Sequence, residues 1–593
     1  MGRARMGVKR FPAPIGGINA RDALVEMPEQ DAVVLENWWP ETTRVRSRKG
    51  CSKISTTPYQ YDTLACYPTR GGVQHLFGFR SLAVDEIAIN GNTYSTTALP
   101  FQLSARYSTV VFSNTGGMFL LCLNGRDRLL YYNGSKWGTI GTSGSSLTIS
   151  SISVTLISMV AGEATVTTST AHGLLPANSV TITGTTGGVF DGTKTIARII
   201  SPTSFVINFN YGSSASSTAG SLTQVEVISG VNVSQLTSIT VFANRIWFTE
   251  KNSSDVWYLD LFSIYGTAHK FPLGALLTSG GSLIACCTWT IDSGMGVDDK
   301  VVFFSSEGQA VVYRGTDPAS ATTFFLAGTY DIAKPIGGAL CCLKYMGDIY
   351  FLTEFGILPL SKAILTAQIT AKSDITDKVY PLIQQAISEN PTATNWEMCV
   401  YPIMNMLILN TPDKLEQSIQ YCMNTITGAW TKFTGWKALS FTTVENDLYF
   451  SSSDGYVYQG LVSDLDDSKS IPLKALQAFS PIESTSSEKL AQLLKLILYT
   501  NGSPSIQVGI NVNYDTTLIA ESFLSFSPIS SNMTWGSMVW GSMSWGSAFF
   551  RYEEWEGVSG MGYVMAIAVD ASNNNSDISW LESILTYESG GIL

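Results

Sequence analysis

Between about residues 60 and 462 the chain repeats one pattern of apolar and polar positions. The unit is a short apolar strand, a tight polar turn, a second strand ending in paired aromatics, and a third strand after another turn. SITVFANRIWFTEKNSSDVWYLD at 238–260, GALCCLKYMGDIYFLTEFGILPLS at 338–361 and ALSFTTVENDLYFSSSDGYVYQG at 438–460 carry it whole, and DDKVVFFSSEGQAVVYRG at 298–315 carries its second and third strands. Alternation of this kind marks half-buried strands. Anchored on the second strand, the repeat falls at Leu76, Phe119, Trp247, Phe303, Tyr350, Ile408 and Tyr449, with steps of 43, 128, 56, 47, 58 and 41 residues. With an insertion inside the long step, every spacing approaches the ~40–50 residues of a β-propeller blade. The expected fold class is all-β: a β-propeller of seven blades, alternatively six, with an inserted small β module and a C-terminal β domain.

Five segments follow. Residues 1–58, with four prolines in FPAPIGGINARDALVEMPEQDAVVLENWWP and no sustained helical period, read as an extended N-terminal docking arm. The first blades occupy 59–147. An inserted module spans 148–225, where EATVTTSTAHG, NSVTITGTTG, GTKTIARII and TSFVINF alternate β-branched residues with turns. The remaining blades run from 226 to 462. From 463 to 593 the repeat stops, and LAQLLKLILYT, SIQVGINVNYDTT, YVMAIAVDAS and ISWLESILTYESGG read as strands of a separate terminal domain. The one helix expected is 380–389, with Pro381 in its first turn and Leu382, Ile383, Ala386 and Ile387 on one face.

Composition narrows the function. Charged residues reach only 14% of 593, against about 25% in an ordinary soluble domain, so much of the surface is expected to be covered by neighbouring molecules. Residues 1–53 hold ten Lys or Arg against six Asp or Glu, whereas the whole chain carries −11. No apolar run is long enough for a membrane span, and the reading is a soluble protein made in the cytoplasm.

Chemistry is sparse. Nine cysteines without a C-x-x-C pair suggest neither a zinc site nor a disulfide framework, and the doublets Cys286-Cys287 and Cys341-Cys342 read as strand packing pairs. His75, His172 and His269 are isolated, and phosphate-loop, nucleophile-elbow and zinc-protease motifs are missing. No catalytic, cofactor or metal residue is nominated. The adjacent carboxylates Asp298-Asp299, Asp466-Asp467 and Glu553-Glu554 read as solvated turns, and Asp454 in SSSDGYVY as part of a folding turn. Arg44, Arg46 and Arg48 alternate along an extended run and so share one face, suited to an acidic partner, to nucleic-acid phosphates or to solvent. Trp535, Trp540 and Trp545 recur at five-residue intervals in TWGSMVWGSMSWGS, as buried anchors or a sugar-stacking platform.

The opening PAPIGGINARDALVEMPEQDAVVLENWWPETTRVRSRKG resembles the start of the tail nozzle proteins (tail tubular protein B, or tail hub) of short-tailed bacteriophages. The matching positions are Gly16, Gly17, Asn19, Arg21, Asp22, Pro28, Asn37, Trp38, Trp39, Arg48, Lys49 and Gly50. The blade repeats, the tryptophan pentapeptides and the closing SWLESILTYESGG also resemble this family, whereas the inserted module departs from it. The resemblance implies a virion tail protein assembled in the host cytoplasm. It further implies a homo-oligomer, a hexameric ring below the adaptor of the portal–tail complex, through which double-stranded DNA passes and to which tail fibres, spikes or a tip protein attach. Adaptor docking is then expected at Gly16, Gly17, Asn19, Arg21, Asp22, Arg44, Arg46 and Arg48, with Trp38, Trp39, Trp535, Trp540 and Trp545 as structural or interaction aromatics. The alternatives are a glycan-binding adhesin, which needs an exposed aromatic cleft, and a propeller glycan hydrolase, which needs carboxylates converging from several blades.

Overall fold

The computed structural model describes residues 6–89, 93–99, 106–142, 146–154, 163–208, 216–292, 297–365, 375–390, 396–412, 418–483, 488–502, 504–518, 520, 522–524, 550–573 and 575–589. The chain forms two compact units, one of residues 57–373 and one of residues 1–56 with 374–593.

In the unit 57–373, five antiparallel meanders follow one another. Their strands are Thr63–Pro68, Gln74–Arg80, Ala83–Ile87 and Thr93–Ala98; then Ser108–Asn114, Gly117–Leu123, Leu129–Tyr132 and Trp137–Thr142; then Leu236–Phe242, Arg245–Glu250, Asp255–Tyr258 and His269–Pro272. The fourth has Leu283–Asp292, Val297–Ser305, Gln309–Gly315 and Phe324–Asp331, and the fifth Cys342–Tyr345, Asp348–Thr353 and Gly356–Pro359. Consecutive sheets of this unit bury apolar faces against each other, as stacked layers must. Thus Trp247 and Val256 of the third meander share a core with Cys286, Val301 and Phe303 of the fourth, and Val302 and Phe304 of the fourth share another with Ile349 and Phe351 of the fifth.

Two further meanders of the same kind lie in the other unit: Glu397–Tyr401, Met406–Asn410, Gln420–Asn424 and Trp430–Phe433, then Ala438–Val444, Asp447–Ser452 and Val457–Ser463. All seven anchors of the repeat sit in second strands, and Leu76, Trp247, Phe303, Ile408 and Tyr449 are fully buried. The fold is all-β and propeller-like, with seven sheets of blade type, five in one unit and two in the other.

The module between the second and third meanders is a closed sheet. Glu163–Thr168 pairs with Ser204–Asn208 on one side and Ser146–Val154 on the other, with Gly192–Ser201, Ser179–Thr183 and Ser221–Gln224 completing the circuit. Its ends are adjacent, since Ser146 lies opposite Thr223. Val166, Val180, Phe190, Phe205 and Leu222 fill its interior. One loop leaves that interior: Leu174 belongs to the module core, but Leu175 joins the core of the first two meanders. Buried Asn178 fixes the loop, accepting the Thr139 hydroxyl at 2.8 Å and donating to the Thr139 carbonyl at 2.8 Å.

Several expectations are corrected. Residues 6–53 are not an extended arm. Met6–Pro12 pairs with Ile578–Ser589, Asp31–Glu36 with Pro472–Gln477, and Gly50–Lys53 adds the fourth strand beside Val457–Ser463. The stretch after 463 is not a separate domain either. Its strands Pro472–Gln477, Val564–Ser572 and Ser505–Val512 continue, through Asp31–Glu36 and Gly17–Ile18, the sheet that holds Trp430–Phe433. Prolines and short runs read as irregular because each of these strands finds its partner far along the chain. The cysteine reading is corrected as well. Cys286 and Cys341 are packing residues, but Cys287, on the face opposite Cys286, forms a disulfide with Cys342 between the fourth and fifth meanders. The helix Tyr380–Glu389 forms with Pro381 in its first turn and Ile383 buried, and a short helix, Leu360–Leu365, is additional.

Candidate interaction site

The motif at residues 16–22 builds a turn from its own side chains. Gly17 has φ +77°, and a Cβ there would lie 2.4 Å from the Trp430 carbonyl oxygen, so only glycine lets the two backbones approach. Asn19 is buried. Its Oδ1 accepts the N–H groups of Arg21 (3.2 Å) and Asp22 (3.0 Å), an Asx turn, while Nδ2 donates to Asp22 (2.8 Å) and to buried Asp31 (2.7 Å). Asp31 also accepts from Lys378 at 2.8 Å. The guanidinium of Arg21 bonds Asp22 and Asp377. The hydrogen bond from Arg21, with that from Asn19, holds the Asp22 carboxyl down at about 2, and Arg21 is raised in return.

The three arginines separate. Arg44 and Arg46 both reach Glu41, at 2.7 and 3.7 Å, and remain partly exposed. Arg48 is wholly buried. Its Nε donates to Asn37 Oδ1 (2.8 Å), Nη1 to Asp466 (2.9 Å) and the Lys49 carbonyl (3.2 Å), and Nη2 to Asp466 (2.5 Å) and the Thr434 carbonyl (2.7 Å). These are all the donors that a guanidinium has. The group lies 4.9 Å from the Trp436 ring, whose Nε1 donates to the same Asp466 at 3.0 Å. Asn37, at φ +61°, also takes the Thr434 N–H and donates to Pro472. Such a joint fixes geometry and has no group left for a ligand.

The expected docking set is therefore divided. Gly17, Asn19 and Arg48 are buried, Gly16 lies against Asp31, and Arg21, Asp22, Arg44 and Arg46 keep exposed or half-exposed atoms while bonded to one another or to neighbouring carboxylates. Trp38 packs on Trp580 at 6.0 Å and Trp39 on Phe433 at 6.3 Å, both buried. Trp535, Trp540 and Trp545 lie outside the described residues.

The other chemical candidates stay apart. Asp466 is no solvated turn residue, being held by Arg48 and Trp436. Asp298 and Asp299 lie on the strand Val297–Ser305, not in a turn. Glu553 and Glu554 are exposed. Asp454 ties its own turn, accepting the Tyr456 N–H and the Tyr458 hydroxyl. His75 pairs with Glu86, His269 with Asp260, and His172 is buried against Phe205. Among the described residues, no group of three or more His, Cys, Asp or Glu is placed to hold a metal ion, and no helix is long and apolar enough to cross a membrane.

No family model matches this chain, and no curated protein is similar to it in sequence. Solved structures that resemble it include Sqt1 of Saccharomyces cerevisiae (10% identity over 70% of this chain and 99% of that one, TM-score 0.35) and YCF48 of Cyanidioschyzon merolae (9%, 69% and 98%, TM-score 0.27). A streptogramin B lyase is similar at 11% identity, 77% and 97% coverage and TM-score 0.24. Likenesses this distant carry no argument about activity, and the description of the fold rests on the sheets themselves.

Proposed function

We propose that this chain is a non-catalytic structural protein of a short-tailed phage virion, a tail nozzle subunit that assembles as a ring below the adaptor. The observation that carries the reading is the N-terminal motif. Among the matching positions, Asn37, Trp38, Trp39 and Arg48 join the N-terminal segment to Pro472, Trp580, Phe433 and Asp466, Gly17 lies against Trp430, and Asn19 ties Asp22 to Asp31. These matching positions build the fold. A second support is the exposed face of the sheet that pairs Met6–Pro12, Ile578–Ser589 and Lys489–Thr500. Met6, Leu490 and Met561 flank Glu588 in one cross-strand row, and Val8 and Leu493 flank Thr586 in the next, all five apolar residues being exposed. With charged residues at 14% of the chain, a surface of this kind suits burial between subunits.

The adaptor contact is then assigned to the exposed parts of Arg21, Arg44 and Arg46, since Arg48 is unavailable. The experiment is to add the purified chain to particles that end at the adaptor and image them by electron microscopy. A ring on the tail axis is expected. Chains that leave the particles bare, or decorate them only at the periphery, would overturn the reading.

A further inference from the structure

Two exposed features on different units match in chemistry. The first is an open cleft of about 420 Å³ in the unit 57–373, lined by Arg70, Met118 and Phe262 with Ser113, Asn114 and Thr115. Phe262 is held in the left-handed region at φ +57°, uncommon for a bulky side chain. Both its backbone groups are tied: its N–H donates to the Asn244 carbonyl at 2.9 Å, and its carbonyl accepts Asn114 Nδ2 at 2.8 Å. The ring is thereby kept 50% exposed in a place where burial would be ordinary. Arg70 makes one hydrogen bond among the described residues, to the Asn114 carbonyl at 3.0 Å, and no described carboxylate pairs with it. Arginine, methionine and aromatic residues together are the composition enriched at protein interfaces.

The second feature is the run Glu553-Glu554-Trp555 in the other unit, where Tyr552 stands opposite Leu498 and Trp555 opposite Lys495, so the register is unbroken and Glu553 and Trp555 share one face. All three residues are exposed. Glu553 shares Arg551 at 3.0 Å, Glu554 has no bonded partner among the described residues, and Lys495 lies over the Trp555 ring at 5.3 Å. Trp555 also stands opposite Lys495 on the apolar sheet described above.

Resting on the ring reading proposed above, we infer that the cleft receives the extended Glu553–Trp555 run of a second copy of this chain. Trp555 packs on Phe262 and Met118, and Glu553, on the same face of its strand, pairs with Arg70. One unpaired cation between apolar side chains meets carboxylates beside an indole, so sign and polarity complement each other. Because the two surfaces differ, the contact is head-to-tail, and its repetition closes a ring if the rotation permits.

The test uses the full chain in sedimentation velocity and a synthetic peptide of residues 550–558, FRYEEWEGV. Arg70→Glu should weaken both self-association and peptide binding about tenfold or more, the scale of a lost interfacial charge pair. Glu553→Lys with Glu554→Lys should do the same, and all three substitutions together should restore association. Phe262→Asn, which suits the left-handed backbone, should weaken association without lowering the melting temperature. Association or peptide binding that Arg70→Glu leaves unchanged overturns the inference and leaves the ring reading standing, and a chain that never associates also overturns the inference. Swap-dependent association into open filaments instead sustains the inference and sinks the ring.

Discussion

Asp466 accepts two hydrogen bonds, at 2.9 and 2.5 Å, from the guanidinium of Arg48, 418 positions earlier in the chain. Removing one partner of a buried ion pair leaves the other uncompensated, at about 3–5 kcal/mol. Arg48→Ala should therefore lower the urea midpoint sharply, with Asp466→Asn close behind. Arg48→Lys should recover little, because one ammonium cannot replace a planar fork that contacts four residues. A shift of less than ~1 kcal/mol for Arg48→Ala would show the pair to be incidental.

Gly17 and Gly72 make a controlled comparison, at φ +77° and +85° respectively. Alanine at either pays the left-handed penalty of about 1–2 kcal/mol. Only at Gly17 does the new Cβ also meet backbone, 2.4 Å from Trp430 O, whereas nothing lies within 4 Å at Gly72. Thermal unfolding should accordingly rank Gly17→Ala well below Gly72→Ala, and equal losses would argue against the close approach.

The inserted module is wedged into the blade core through Leu175, so it should not be removable as a simple appendage. Leu175→Ala should cost about 2–5 kcal/mol, as for other large-to-small core changes. Replacing residues 150–224 with a short linker should cost more, since it also strips Thr139 of Asn178 and leaves the Leu175 site empty. A deletion variant as stable as the parent would mean that the wedge contributes nothing.

Acid should loosen the same loop. His172 is neutral in the fold: its Nδ1 accepts the Leu174 N–H at 3.0 Å, its Nε2 faces the Ser201 carbonyl at 3.0 Å, and burial lowers its pKa. A base with a depressed folded pKa contributes stability above its unfolded value, near 6.5, and loses it as pH falls below that value. Nearby Glu226, raised by burial, acts with the opposite sign at lower pH, favouring the fold as pH falls toward the ordinary carboxylate range. Melting temperature should drop between pH 7 and 5.5 in the parent and less in His172→Gln. Identical slopes would exclude His172 as the cause.

What could be read from the sequence was local. A meander strand pairs with the next strand a few residues away, so alternation around Trp247 or Tyr449 sufficed to find it. The inserted module, with its own turns and its own core, was legible for the same reason. Strand Asp31–Glu36 was not, because its partner is Pro472–Gln477. Arg48 looked like one face of an exposed run with Arg44 and Arg46. The strand Val45–Ser47 stops before it, and the chain turns it inward toward an aspartate that no nearby pattern announces. At Cys286-Cys287 the alternation of faces was visible, but the meeting of Cys287 with Cys342 depends on how consecutive sheets stack. The cleft at Phe262 left no mark in the sequence, since its left-handed backbone is held by Asn114 at the end of one strand and by Asn244 in a turn.

Strand Gly50–Lys53 completes the sheet of Val457–Ser463, and this sets a schedule for synthesis. A ribosome adding about 5–20 residues per second needs roughly 20–80 s to travel from one strand to the other. Throughout that interval the emerged Gly50–Lys53 segment has no strand to pair with, and Met6–Pro12 waits longer still for Ile578–Ser589. The unit 57–373 needs no such delay, because each of its meanders closes on strands made moments before. Nascent chains stalled near residue 400 should therefore already protect Thr63–Pro359 from protease while residues 6–53 are still cut.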